Sequence, residues 1–469
     1  MPNSIARRRF LQGLTVIPAA VLLNRSLLAR GESTHQRHLT TTAQASAPKA
    51  WLNVRDFGAK GDGSAVDTAA FQTALDRCAA LGGGEVVAPA GEYLIGSVQL
   101  RSNTMLRLDA GATLRGTANF DDYAVTEVRW EGKWIPGHVG LIYAIDAKNV
   151  AIEGAGKIVG NPALAGRPRP DSPLRHPALI EFIRCNGIHL EGFSTEYRSM
   201  WSVHPTSSED ITIKNLTIRS TGGNGDGIDI DSCRHVTITG CDIATGDDCI
   251  SLKSGRGAEA YAMLETTEDV HISDCTFADS IFACIGIGSE TSGGIRDVWI
   301  KDCKFTAART YAIYIKSRPG RGAFIENIYA DGLEVSGCKG GFLRFNMTKS
   351  GIQDQDPVPG AEGIPTVRNW RFSHVTVHDV PRLVEGTGVD PRKPLDGLWL
   401  TDISGTCGEG IDLANVRHAV LRNIHVTGYS GALLNTYDVS GVGLAGEKPL
   451  PAPETPPDVP TPATPYRLH

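Results

Sequence analysis

The 469-residue chain is poor in charge and in aromatic rings: 21 % of its residues are Asp, Glu, Lys or Arg and 7 % are Phe, Trp or Tyr. Low charge together with 53 glycines excludes a self-repelling disordered chain and fits a turn-rich, β-rich globular one. None of the ten cysteines forms a C-x-x-C pair, so the usual signature of a structural zinc site is missing. The apolar run Leu11 to Leu23 is too short to span a bilayer and is interrupted by Pro18. An excess of basic residues is missing too, and its absence argues against a nucleic-acid partner held through a basic face.

What the N-terminus does have is an export address. Arg7, Arg8, Arg9, Phe10 and Leu11 form a twin-arginine pattern ahead of the short apolar run, the layout of a signal peptide. Residues 1–45 are therefore expected to be a leader, with Ala43-Gln44-Ala45 as a small-x-small cleavage pattern, and the mature protein to be periplasmic or extracellular. A cut after Ala45 leaves 40 basic and 51 acidic residues, a net charge of −11. Residues 46–445 are expected to form one domain. From 446 to 469 the chain is rich in proline, with seven in the last 20 residues, and is expected to be a disordered or polyproline-like tail.

The domain opens with a helix signal. Asp67 is placed as an N-cap, with Val66 and Phe71 as a hydrophobic staple. Ala70, Phe71, Ala74, Leu75 and Cys78 follow at helical spacing, and Gly82 to Gly84 stop the helix. Beyond it, an apolar-x-apolar pattern recurs. It appears at Val150–Ile152, Ile188–Leu190, Ile211–Ile213, Val236–Ile238, Val270–Ile272, Val298–Ile300, Leu333–Val335 and Leu398–Leu400, and imperfectly at Val420–Arg422. Period-two alternation marks strands with one face inward. A short repeat without intervening helices predicts an all-β fold, a single-stranded, right-handed parallel β-helix, with the helix capping its open end. Cys241, Cys275, Cys303 and Cys338 share one phase of the repeat, with Asn215 in that phase one coil earlier. They are expected to stack as small buried side chains rather than form bridges.

The chemistry concentrates between Asn224 and Lys253, NGDGIDIDSCRHVTITGCDIATGDDCISLK. Asp226 and Asp247 lie 21 residues apart, close to one coil, so their side chains can meet across a spacing of about 4.8 Å. Asp248 is adjacent, after the turn residue Gly246. Clustered carboxylates repel, so at least one holds a proton, giving the acid and base that glycoside hydrolysis needs. On spacing alone two other readings stay open: aspartates bonding their own turns, and a calcium site.

The sequence resembles glycoside hydrolase family 28, the polygalacturonase family, over roughly residues 51 to 440. The most specific segments are NGDGIDIDS (from Asn224) and TGDDCISLKSG, supported by GSETSGGIRDVWI (Gly288 to Ile300) and IKSRPGRGAFIENI (Ile315 to Ile328). The resemblance implies an inverting hydrolase of pectic polysaccharide or its oligomers, needing no cofactor or metal and acting as a monomer. Long insertions around Tyr123 to His138, Arg167 to His176 and Lys349 to Gly363 favour attack from chain ends, since such loops tend to block a groove. The resemblance also implies Asp247 as the general acid, with Asp226 and Asp248 activating water. Two departures stand out: the family's G-H-G histidine would fall near Phe282, and Tyr314 replaces the arginine of its R-I-K motif, while Lys316 remains. Candidates for substrate contact are Asn224, His204, Glu290, Lys316 and Arg318. Arg321 is a further cation near the site, and Trp130, Trp134 and Trp201 are possible sugar platforms. A calcium-dependent lyase using Lys316 or Arg318, or a non-catalytic sugar-binding β-helix, are the alternatives.

Overall fold

A computed structural model describes residues 49–164, 174–198 and 200–459. The expected leader, the last ten residues of the tail and part of the insertion at 167–176 lie outside the described residues. The described chain winds into one 32-stranded, all-parallel sheet wrapped on itself, plus a separate two-stranded hairpin. This is the expected parallel β-helix.

Each coil places its apolar positions in register with those of the next. Val150, Ile188, Ile211, Val236, Val270 and Val298 stack in one column, which continues through Ile328, Trp370 and Leu398. All are buried. One residue before the column, inside each strand, the backbone passes through a left-handed residue. These are Asn149, Gly187, Asp210, His235, Asp269, Asp297, Asn327, Asn369 and Gly397, with φ from 54° to 87°. Asn, Asp and Gly tolerate that conformation best, and the side chains bond from coil to coil, as Asn369 to Asn327 and Asn327 to Asp297.

The linear pattern misplaced one repeat. Leu333–Val335 belongs to the next sheet face, where Val335 pairs with Phe305 and Val377. The alternation occurs more than once per coil, so a scan along the chain cannot tell which face a segment occupies. The cysteine stack changes for the same reason. Cys275 stacks between Cys241 and Cys303, whereas Cys338 neighbours Cys284 in a second stack that also contains Cys249. Leu216, not Asn215, occupies the Cys241 column one coil earlier, because Thr217 pairs with Asp242. All ten cysteines are buried free thiols.

The capping helix spans Thr68–Ala80 and buries the five residues its spacing singled out. Phe71 meets Tyr93 edge-on at 5.2 Å. Gln72 accepts from the Gln99 N–H and Thr68 from the Gly96 N–H, which ties the lid to the first coil. The staple does not form, since Val66 is 59 % exposed. Asp67 makes no side-chain cap within the helix; its carboxylate instead accepts from the Lys60 and Gly61 N–H groups of the preceding turn.

The proline-rich tail also departs from expectation. Lys448–Pro449 add a short strand against Asn435 and Thr436, Arg392 bonds Asp458 and the Pro456 carbonyl, and Val459 is buried. Proline-fixed backbone loses little entropy on docking, so through residue 459 the segment lies on the coil rather than free of it.

Candidate active site

One sheet face carries the site, because its outward positions are not left to solvent. Across the strands Ile228–Asp231, Ile250–Lys253, Ile285–Ile287, Tyr311–Lys316 and Gly341–Asn346, two outward columns run side by side. The first stacks Asp229, Ser251, Gly286, Tyr314 and Arg344. The second contains Asp231 and Lys253 on adjacent strands and, further along, Lys316 and Asn346. Inward residues between them are isoleucine, leucine or phenylalanine.

The aspartates stand at the turns that feed these strands. Ile228 pairs with Ile250, so Asp226 stands opposite Asp248, 22 residues on, and Asp247 projects from the turn one step earlier. Carboxylate oxygens of all three lie within 4.8 Å of one another. Asp247 receives the N–H groups of Asn224 (3.2 Å) and Asp248 (3.1 Å). Asp248 receives the Ala283 N–H (3.1 Å) and the Lys316 ammonium (2.8 Å). The Ser251 hydroxyl lies 3.0 Å from Asp248 and 3.2 Å from Asp226, and its single proton serves one of them at a time. Gly286 makes room: a Cβ there would sit 2.3 Å from the Asp248 carboxylate.

Burial, then the neighbouring Asp248, raises the Asp247 carboxyl above its ordinary range. Burial, then Asp229, raises Asp226 well above it. Burial pushes Asp229 up to about 7, with Lys253 opposing. Of the three turn aspartates, Asp247 is the least buried, so a group placed to hold a proton also faces the open side.

The aspartates open into a cavity of about 530 Å³, within the range of small-ligand sites. Asn224, Glu290 and Lys316 line it, as the sequence suggests, together with Arg321, Phe282 and Tyr314. Lys253, Arg256, Arg344, Lys349 and Glu131 also line it and were not singled out. They come from outward strand positions and inserted loops, where spacing carries no signal of convergence. His204 does not reach the cavity. It is fully buried, 4.4 Å from the Trp201 ring and 3.6 Å from Glu181, because its outward strand position is covered by the Trp201 segment. Arg318 does not line the cavity either; it donates to the Gly351 carbonyl. Trp201 lines the cavity but is almost wholly buried, and Trp130 stacks on it at 5.3 Å. Trp134 lies outside the cavity, under Arg129.

Two insertions wall one side. The hairpin Val125–Trp130 and Lys133–His138 carries Glu131 at its tip, and the segment around Lys349–Ile352 lines the cavity with it. Buried Asp354 ties them, with Lys133 and Arg256 each at 3.1 Å. Arg321 is fully buried beneath this wall. It donates to the Ser289 and Ile352 carbonyls, while one terminal nitrogen has no hydrogen-bond partner among the described residues. Arg344 lies 5.1 Å from the Tyr314 ring, one coil beyond it. The three-carboxylate cluster has the donor chemistry of a cation site, but Lys316 and Lys253 already stand against two of its members. Among the described residues, no helix is long and apolar enough to cross a membrane.

Known proteins share this fold. The model for glycosyl hydrolases family 28 matches residues 78–343. A probable polygalacturonase of Vitis vinifera is 29 % identical over 409 residues, covering 84 % of this chain and 82 % of that protein. An exopolygalacturonase structure from Thermotoga maritima superposes with a TM-score of 0.66 at 25 % identity, over 81 % of this chain and 92 % of that one. The family 28 exopolygalacturonase of Yersinia enterocolitica shares the fold, with a TM-score of 0.70 at 21 % identity, over 86 % and 80 %. The family model spans more than half of the sequence, so the chain belongs to glycoside hydrolase family 28 and is a hydrolase of the polygalacturonase-like kind.

Proposed function

We propose that this family 28 hydrolase releases acidic sugars from one end of pectic oligomers. The observation that carries the reading is the turn cluster Asp226, Asp247 and Asp248, set at the floor of a cavity that inserted loops close on one side. Asp247 protonates the leaving glycosidic oxygen. Asp248, with Asp226, takes a proton from a water that attacks the anomeric carbon. The new C–O bond forms as the glycosidic C–O bond breaks, and proton uptake by one carboxylate balances proton release by the other.

Three of the roughly four acceptor sites of Asp248 are taken by Ala283, Ser251 and Lys316. That leaves room for a water and little for a covalent bond to sugar. Oxygens within 4.8 Å are closer than the roughly 6.5–9.5 Å between carboxyl groups usual for inversion. Inversion is therefore supported by the family likeness and by the engaged Asp248, not by the separation. The loop-closed side favours attack from a chain end, in keeping with the names of the exopolygalacturonases. Buried Arg321, without a carboxylate partner among the described residues, and Arg344 favour a substrate carboxylate.

The test is product analysis on oligogalacturonides. Release of single residues, with the inverted anomer seen first by proton NMR, supports the reading. Internal cleavage would overturn the end-attack element, and an unsaturated uronate product would overturn hydrolysis. The leader, with Arg7 and Arg8, supports export: replacing both with Lys should leave the protein inside the cell, and unchanged secretion would count against a twin-arginine route.

A further inference from the structure

Behind the three turn aspartates lies a second layer of charge. Lys253 is buried, and its side chain is sandwiched between carboxylates and an aromatic face. Its ammonium pairs closely with Asp229, lies 3.6 Å from Asp226, and sits 4.6 Å from the Trp201 ring. Trp201 is itself held between Trp130 and His204. One oxygen of Asp226 and both of Asp229 have no hydrogen-bond partner among the described residues, and the ion pairs to Lys253 are what the two carboxylates share. A buried carboxylate without a cation stays neutral, and a neutral Asp226 cannot accept a proton from water.

Resting on the reading above, we propose that Lys253 is a positioning residue for Asp226: anchored by Asp229 and covered by Trp201, its ammonium opposes the burial and like charge that favour a proton on Asp226, and so supplies the charged form that activates water. The two base carboxylates are then served alike, Asp248 by Lys316 and Asp226 by Lys253. The difference is that Lys253 is shared. Asp229 is the nearest competing negative charge and draws the ammonium away from Asp226. The titratable groups facing Asp226 are Asp229 on its own coil and Asp247, Asp248 and Lys253 on the next; Glu290 faces Asp229 and Lys253, Lys316 pairs with Asp248, and His204 on the coil before pairs with Glu181. Of these, Lys253 is the cation closest to Asp226.

The pair gives opposite expectations. Lys253→Met removes the cation, so the acid limb of kcat/KM moves to higher pH by roughly one unit or more. The same variant lowers kcat by about tenfold or more with KM nearly unchanged. Asp229→Asn removes the competitor, so the acid limb moves to lower pH. A merely structural role would lower both activities and leave the limb where it is. Carbon-13 carboxyl NMR titration of the intact protein, wild type and both variants, reads the same shifts without substrate. If wild type releases no sugar from pectic oligomers, the functional reading fails, and the NMR titration still decides this proposal. If Lys253→Met does not fold, Asp229→Asn carries the test alone. An Asp226 titration that is unchanged in every folded variant overturns the proposal.

Discussion

Two buried charge clusters lie two coils apart in this β-helix and behave in opposite ways. Glu181 and Arg175 are both fully buried, bonded at 2.6 and 2.8 Å. The Glu181 carboxylate also receives the Gly140 N–H. Arg175 spends its remaining donors on the Arg129, His138 and His176 carbonyls. Every strong donor and acceptor there has a partner, and charge balances one for one. Two coils on, Asp226, Asp229, Asp247 and Asp248 share, among the described residues, only Lys253 and Lys316 as close cations. The first cluster pulls its carboxyl down, to about 2, because Arg175 outweighs the cost of burial. The second pushes three of its carboxyls up, because burial and like charge outweigh two ammonium groups. A compensated cluster holds the coil together, and an under-compensated one stores a movable proton.

The contrast breaks most sharply at Asp247. Asp247→Asn should lower kcat by roughly 10²–10⁴ and leave the thermal midpoint within a few degrees of wild type. Retained activity in that variant would show that the proton-rich cluster is not the acid. The mirror experiment is Glu181→Gln, which strands buried Arg175 and should cost about 3–5 kcal/mol in denaturant unfolding. Activity per folded molecule should change little, because neither residue touches the cavity.

The same pair fixes a pH dependence. The Glu181 carboxyl is lower in the folded chain than its ordinary value of 4.5. Its stabilisation is therefore fully present above about pH 4.5 and is lost as pH falls toward about 2, worth on the order of 3 kcal/mol. Acid unfolding should lose most of this component in Glu181→Gln, and an unaltered acid transition would contradict the assignment. The smallest effects concern two cations near the cavity, one buried and one outside it. Arg321→Met should raise KM for an acidic oligomer by about tenfold or more. Arg318→Ala should change it less than about twofold, since its bond to Gly351 is exposed. Equal effects from the two would remove Arg321 from substrate binding.

How far the chain could be read in advance depended on which way side chains faced. The capping helix, the inward column and the turn aspartates were legible, because apolar spacing and Asp-Gly turns are local properties. The role of Asp229 and Lys253 was not. In Ile228–Asp231 and Ile250–Lys253 the polar residues alternate with inward isoleucine and leucine, which reads as an ordinary solvent-facing side. Only the loops packed over that face bury them. His204 misled for the same reason: its strand position is outward, yet Trp201 covers it. Arg321 was legible as a nearby cation but not as a buried one.

The sequence by itself determined the coil. Period-two apolar residues and a helix at the open end specify a parallel β-helix, because each acts through its own backbone and nearest neighbours. It also determined which turn carries the carboxylates. Tertiary structure alone decided that Asp226 faces Asp248 rather than Asp247, that two lysines must serve four aspartates, and that insertions from distant coils close one side of the cavity. Those outcomes depend on register between coils and on desolvation by distant segments, and neither quantity is contained in any local stretch of the chain.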